Sequence, residues 1–382
     1  DKFDCYDASK YTSEKVDDRH GGQEPRFTFD QWVSEPMTGM DLINMIAAKF
    51  FGKCFDDGNG TIILRVDKEE DPVALFTPEM VENGLFTYSY SDLNLRYNQV
   101  TTTFINPQLN WNQDRRVVTD LVDQGINGIV PCDLQMPDCT DPQEACRRAL
   151  FRMISALTEK ETVVFKTNRM GSTVEAWQVI LVADPDMGYS LTGRVKTISV
   201  DRKTVTFRDA LPLEFGVTYT MVFQTGAGLI SKGFTVSSSG SYTSIVFTTA
   251  LDAAVLPDMA FSIGNSLGTP GLPKPYRILN ISVEDGSTDK QTITAIEVNR
   301  LKYDLADTGV HDLDVLHVDQ RSDTNVAPPV WPLAIKSSRF TNIGKTHHPL
   351  TLDWSAAPGP PLHCYRVASS LPGPTQPLLK EP

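Results

Sequence analysis

Residues 86–118, FTYSYSDLNLRYNQVTTTFINPQLNWNQDRRVV, decide the fold class. Phe86, Tyr88 and Tyr90 alternate with Thr87, Ser89 and Ser91, the period of a strand with one face packed. After a polar turn at Asp92–Asn94, a second run from Tyr97 to Ile105 carries Val100, Thr101, Thr102, Thr103 and Ile105. Branched and aromatic side chains pack well on a pleated surface, so two strands are expected, the second ended by Asn106-Pro107. Trp111–Arg116 (WNQDRR) reads as a polar loop around one aromatic, either solvated or in contact with another subunit. Val117–Asp120 begins a further strand, and Gly125–Gly128 turns the chain toward Pro131.

Upstream, residues 1–24 lack periodicity and read as an irregular segment, and Arg26–Val33 alternates as a strand. Thr38 is placed to cap a helix over Gly39–Phe51, with Asp41 at its third position and Leu42, Ile43, Ile46, Ala47 and Phe50 on one stripe. Gly52 stops it, and Asp57-Gly58-Asn59-Gly60 forms the turn of a hairpin returning along Thr61–Val66. Downstream, Asp141 is a good N-cap, Pro142 suits the first helical position, and Glu144 is placed to close a capping box. The helix that follows to Leu157 has a broad apolar stripe including Ala145, Ala149, Leu150, Met153 and Ile154, with Arg147, Arg148 and Arg152 mostly off it.

From Glu161 to Asn299 the sequence is a succession of short strand-like runs separated by turn residues, the pattern of a barrel or sandwich. Residues 305–330 turn Asp-rich and then Pro-rich, as a linker does. The expected organisation is therefore α+β and mostly β. It comprises an irregular segment 1–24, an α+β domain 25–160, a barrel-like domain 161–304, a linker 305–330 and a partial sandwich 331–382.

The chain carries 48 Asp and Glu against 35 Lys and Arg, a formal charge of −13. That balance disfavours wrapping duplex DNA, whose phosphates require cations, though not passage of DNA past an acidic wall. No run approaches the ~18 apolar residues of a membrane span. The start at Asp1 shows no signal-peptide pattern, and both ends read as those of a piece of a longer polypeptide. Cys132, Cys139 and Cys146 are evenly spaced but lack the short C-x2–4-C pair typical of metal sites, so buried or free thiols are the expectation. Cys5, Cys54 and Cys364 complete the set. His20, His311, His317, His347, His348 and His363 form no H-E-x-x-H, and Gly226-Ala227-Gly228 lacks the Lys-Ser of a phosphate loop. Glu69-Glu70-Asp71 and Asp312/Asp314 lie in charged turns, without an environment that would separate an acid from a base. No catalytic, cofactor-binding or metal residue is expected.

Several segments, in order, resemble one family. These are F-x-Y-S-x-S at 86–91, R-Y-N-x-V from Arg96 with Asn106-Pro107, Cys139-Thr140 with Ala145 and Arg147, then Val164-Phe165. Asp184-Pro185 with Gly193-Arg194-Val195, and Ile293–Val298 with Tyr303, continue the series. Over about residues 25–305 the chain resembles the host-specificity protein J family, the tail-tip or baseplate hub proteins of long-tailed bacteriophages. The resemblance implies a non-enzymatic homotrimer around the tail axis that closes the tube and opens for genome ejection. The implied partners are other tail-tip proteins, the tail tube, the tape-measure protein, a host receptor reached through C-terminal regions, and DNA only in transit. It implies a virion protein made in the host cytoplasm. Pro328-Pro329, Trp331, Ile343, Leu350–Trp354 and Tyr365–Val367 have a fibronectin-type-III look, but such a sandwich needs ~100 residues and only about half remain. A secreted β-rich carbohydrate-binding adhesin and a tail-associated hydrolase are the competing readings.

Overall fold

The computed structural model describes residues 2–308, with short breaks at 18–21, 34–35, 57–59, 169–170, 172, 227, 267–269 and 284–289. Beyond 308 it describes seven short strands, at 315–317, 334–337, 340–342, 345–347, 350–353, 365–367 and 378–380. Two compact units result, 1–318 and 319–382.

The first unit opens with α1 (Lys2–Ser13) and the hairpin β1 (Lys15–Asp17) and β2 (Gln23–Pro25). Helix α2 (Gly39–Lys49) follows, with the hairpin β3 (Gly52–Asp56) and β4 (Ile62–Val66). Next come β5 (Ala74–Phe76), β6 (Val81–Tyr90), β7 (Gln99–Asn106), β8 (Asn112–Thr119), α3 (Leu121–Asn127), β9 (Pro131–Met136) and α4 (Pro142–Thr158). The chain continues with β10 (Glu161–Thr167), β11 (Val179–Val182), β12 (Leu191–Ile198), β13 (Thr204–Leu213), β14 (Thr218–Thr225), β15 (Gly228–Thr235), β16 (Gly240–Val246) and β17 (Ala260–Gly264). It closes with β18 (Lys274–Val283), β19 (Gln291–Glu297), α5 (Leu301–Thr308) and β20 (Val315–His317).

The protein is mostly β. One six-stranded sheet runs β5-β11-β18-β19-β10-β6, antiparallel except for the β5–β11 pair. Phe86 and Tyr88 turn their alternating face onto its core of Phe76, Val163, Phe165, Tyr276 and Ile293. A second six-stranded sheet, β15-β14-β17-β12-β13-β16, curls around Phe207, Met221, Phe223, Phe261 and Ile263. The chain leaves this curl where Gly264 meets the backbone of Gly271. A Cβ on Gly264 would lie 2.1 Å from the Gly271 carbonyl oxygen, so no larger residue fits without a backbone shift. A four-stranded sheet runs β20-β8-β7-β9, with β7 and β9 parallel. Helix α4 crosses it, burying Cys146, Ala149, Leu150 and Met153 against Val100 and Val118. Small residues at the start of α4 let it approach the sheet closely.

The two strands expected in the 86–118 stretch are present; they lie in different sheets, and the polar turn carries the chain between them. Several other sequence expectations are corrected by the structure. Residues 1–24 are not irregular. Helix α1 escapes a periodicity search because Ala8 is the buried residue among its described side chains, and ion pairs Asp4–Arg65 and Asp7–Lys68 fasten it. Residues 26–33 form no strand, because their polar groups bond to the region around the start of α4. Trp111–Arg116 is not a loop: β8 starts at Asn112, and its polar Asp114 is buried against Asn106 Nδ2 at 2.9 Å. Residues 125–128 are the end of α3 rather than a bare turn. The expected linker begins inside α5 and includes β20, which pairs with β8. The sheet of β5 and β6 also takes β10, β11, β18 and β19, so it draws strands from both sides of position 160.

The second unit contains the ribbons 334–337 with 350–353, 340–342 with 345–347, and 365–367 with 378–380. Trp331, Ile343 and Trp354 of the fibronectin-like pattern lie outside the described residues, as do Pro328 and Pro329.

Candidate assembly surface

Gln99 is paired with Thr119 on one side and with Pro131 on the other. The start of β7, the end of β8 and the start of β9 therefore share one end of the four-stranded sheet. Three connecting segments meet there. Leu93 and Leu95 come from the turn before β7, Leu121, Val122 and Ile126 from α3, and Ile129 from the turn into β9. All six are large, apolar and 51–78% exposed. Large apolar side chains scattered singly are ordinary on a protein surface, whereas these six lie on segments that lead to one end of a single sheet.

The support beneath this group is rigid. Asn98 is fully buried, and its Nδ2 donates to Asp123 Oδ2 and to the Gly128 carbonyl, each at 2.7 Å. Its Oδ1 accepts the Val130 N–H at 2.9 Å, and its carbonyl accepts the Asp120 N–H at 3.0 Å. Asp120 caps α3 by accepting the N–H groups of Val122 and Asp123 at 3.0 and 3.1 Å. Asp123 Oδ1 accepts from Asn127 at 2.8 Å. Gly128 ends the helix at φ 76° and ψ −177°, a conformation reserved almost wholly for glycine. At the opposite end of the sheet, Asn110 and Trp111 take left-handed φ values of 59° and 63° in the β7–β8 turn, and Trp111 is 68% exposed.

Behind the sheet lies buried charge that the sequence misplaced. Arg147 and Arg148, expected mostly off the apolar stripe, are buried on α4 and paired within the chain. Arg148 meets Asp138 at 2.7 Å, and Lys49 reaches the other Asp138 oxygen at 2.8 Å. Burial alone would raise the Asp138 carboxyl, but these two cations hold it below the usual range. Glu144 closes no capping box. It accepts instead from the Thr28 N–H at 3.0 Å and hydroxyl at 2.7 Å, while burial pushes its pKa up. Arg147 pairs with Glu24 and donates to the Arg26 carbonyl. Burial and a hydrogen bond with Asp141 outweigh Arg147 and push Glu24 up to about 7.

A second cluster joins α5 to the segment after β4. Lys302 is 1% exposed and lies 2.8 Å from both Asp67 and Glu159. Arg277 and the Tyr303 hydroxyl complete it around Asp67. Each charge here has an opposite partner, the condition under which buried ions are tolerated.

The cysteine triplet is distributed over β9, the turn before α4, and α4. Cys139 and Cys146 are buried, and burial pushes the Cys139 thiol up to about 12. Asp71 of the Glu69–Asp71 run pairs with Arg300 at 3.0 Å. Asp312, Asp314 and His348 lie outside the described residues.

A family model described as "Putative phage tail protein" matches residues 38–198, from the cap of α2 to the end of β12. The chain is also 30% identical over 368 residues to the tip attachment protein J of Escherichia phage SECphi27, covering 94% of this chain. The chain is a J-like phage tail protein. It spans 30% of the length of that relative. Among solved structures, a chain from the virion of a native gene transfer agent particle aligns at TM-score 0.36 and 10% identity, covering 70% of this chain and 41% of its own. The tail protein from Neisseria meningitidis MC58 aligns at TM-score 0.36 and 11% identity, covering 74% and 61%. In this J-like protein the family-model match includes the strands, α3 and α4 that build and support the apolar end of the four-stranded sheet.

Proposed function

We propose that this protein is the structural hub of a phage tail tip, with three copies around the tail axis closing the tube and anchoring host-binding parts. The observation that carries the reading is the alignment to a tip attachment protein along 94% of the chain. The exposed apolar side chains carried by the segments at one end of the four-stranded sheet support it, since an assembly component needs contact surfaces. In this reading the C-terminal residues, with their fibronectin-like pattern, lead toward receptor-binding parts. The tube, the tape-measure protein and other tail-tip proteins are the neighbours. The hub opens for genome ejection, and the net charge of −13 keeps DNA moving rather than bound. The protein is made in the host cytoplasm and ends in the virion.

The test is imaging of the protein in assembled tails by electron cryomicroscopy. A threefold ring at the tip end of the tube is expected. One or two copies per tail, or a position away from the axis, would overturn the reading.

A further inference from the structure

We propose that the junction of α1, the segment after β2, α4 and α5 is a binding site for one internal water, held as a hydrogen-bond acceptor by Arg26 and Arg147.

A small interior cavity lies where these four parts of the chain converge. Tyr11 reaches it from α1, Arg26 from the segment after β2, Arg147 and Phe151 from α4, and Ala306 and Asp307 from α5. Its volume is about 10 Å³, close to the least that admits a single water. Arg147 is 4% exposed, and its two terminal nitrogens are engaged, Nη1 by Glu24 and Nη2 by the Arg26 carbonyl at 3.2 Å. Both terminal nitrogens of Arg26 are likewise engaged, Nη1 by Glu14 at 2.8 Å and Nη2 by Asp307 at 2.7 Å. What remains is the Nε–H of each arginine. Both are buried, and neither has a partner among the described residues. A buried donor without an acceptor is costly, and both of these side chains line the same cavity.

Charge chooses water over an anion. Arg26 faces Glu14 and Asp307, Arg147 faces Glu24, and Arg148, which also lines the cavity, faces Asp138 and Glu144. These three cations already meet five carboxylates, so a further negative charge would find no cation unanswered and several acids close by. The unmet demand is for a neutral acceptor. A buried water typically makes about three hydrogen bonds. It can accept from both Nε–H groups and donate to the Asp307 carboxylate, tying the segment after β2 to both helices through one molecule.

The test begins with a crystal structure of the whole chain, grown with bromide in place of chloride, at a resolution that shows interior waters elsewhere. A peak within hydrogen-bonding distance of Arg147 Nε, without anomalous signal, is expected. No peak would overturn the site, and an anomalous bromide signal there would overturn water in favour of an anion. Ala306→Val adds two methyl groups at the cavity wall, and its structure should lack the peak. Amide exchange at Arg26, Phe27 and Thr28, whose N–H groups bond Glu14, Thr12 and Glu144, should then be at least tenfold faster, with Phe261 of the curled sheet unchanged. Unchanged or slower exchange at those three amides, as when a dry void is filled, would overturn the proposal.

Discussion

The curled sheet of residues 191–264 and the layer around α4 solve the same problem with different chemistry. The curl wraps an apolar interior in which Phe207 and Phe261 lie 4.8 Å apart, and the Tyr219 hydroxyl accepts the Glu214 N–H at 3.0 Å. The α4 layer buries Glu144, Arg147, Arg148 and Asp138 beside Ala149 and Leu150. Apolar burial is additive and tolerant of which neighbour supplies the surface. Buried charge is not tolerant, because each ion requires a specific opposite partner in a specific place. The curl should therefore yield gradually to truncation, and the α4 layer should fail when a single partner is lost.

The largest effects set the two regions side by side. Phe261→Ala, in the middle of the curl, should cost ~3–5 kcal/mol in urea unfolding, as fully buried aromatics do. Arg148→Met should cost ~3–5 kcal/mol for a different reason, since it leaves Asp138 buried with Lys49 alone. The contrast lies in rescue. Adding Asp138→Asn to Arg148→Met should recover part of the loss, giving a coupling energy on the order of 1–3 kcal/mol. No second truncation near Phe261 should restore the curl. Strict additivity of the Arg148 and Asp138 changes would show that the α4 layer behaves like an ordinary core.

A smaller loss is expected where the two chemistries meet. Leu150 is buried on α4 against the four-stranded sheet, and Leu150→Ala should cost ~2–5 kcal/mol by thermal or denaturant melts. An unchanged melting temperature would mean that the α4 stripe does not pack on Val100 and Val118.

This contrast also explains what could be read from the sequence. Strand alternation over 86–91 and 97–105, the short strand-like runs that build the curled sheet, and helices α2 and α4 with their Thr38 and Asp141 caps follow from period and cap chemistry. Both are local signals. Arg147 was misplaced because its partner Glu24 is 123 positions away, and a helical wheel cannot display it. Glu144 has the spacing of a capping box, yet Thr28, 116 positions away, takes its carboxylate. In sequence, the end of helix α3 resembles a turn because Gly125 falls within its seven residues and Gly128 follows them, and its Asp120 cap is the available clue. Its Val122 and Ile126 are exposed, and none of the described residues covers them. Trp111–Arg116 looked like a loop because the buried member of its alternation, Asp114, is polar.

The acid layer offers a pH-dependent comparison. Glu24 is pushed up to about 7 in the folded protein, above the ordinary glutamate value near 4.5. Between those values the unfolded chain releases this proton while the folded protein keeps it. Its contribution is thus fully present below about pH 4.5 and is lost as pH rises through about 7. Glu144 and Asp307, also raised by burial, act in the same direction. Asp67 and Asp138, held low by their cations, act oppositely, and their contribution is lost in acid. Melting temperatures measured from pH 5 to 8 should fall less steeply for Glu24→Gln than for wild type. Parallel curves would remove Glu24 from the account.

The smallest expected effect tests whether Asp141 serves both chemistries at once. Its carboxylate caps α4 by accepting the Gln143 N–H at 2.7 Å, a local task worth ~1 kcal/mol. It also hydrogen-bonds Glu24, and that bond is one of the forces raising the Glu24 pKa. Asp141→Asn keeps an oxygen for the cap and removes the second acid, so Glu24 should ionise more easily beside Arg147. Asp141→Ala also frees Glu24 but abandons the cap. The two variants should therefore share a flattened pH profile and differ in stability by the cap alone, with Asn the more stable by ~1 kcal/mol. If Asp141→Asn keeps the wild-type slope between pH 5 and 8, the cap and the acid pair are independent. The α4 terminus would then belong with the local, sequence-legible half of the molecule.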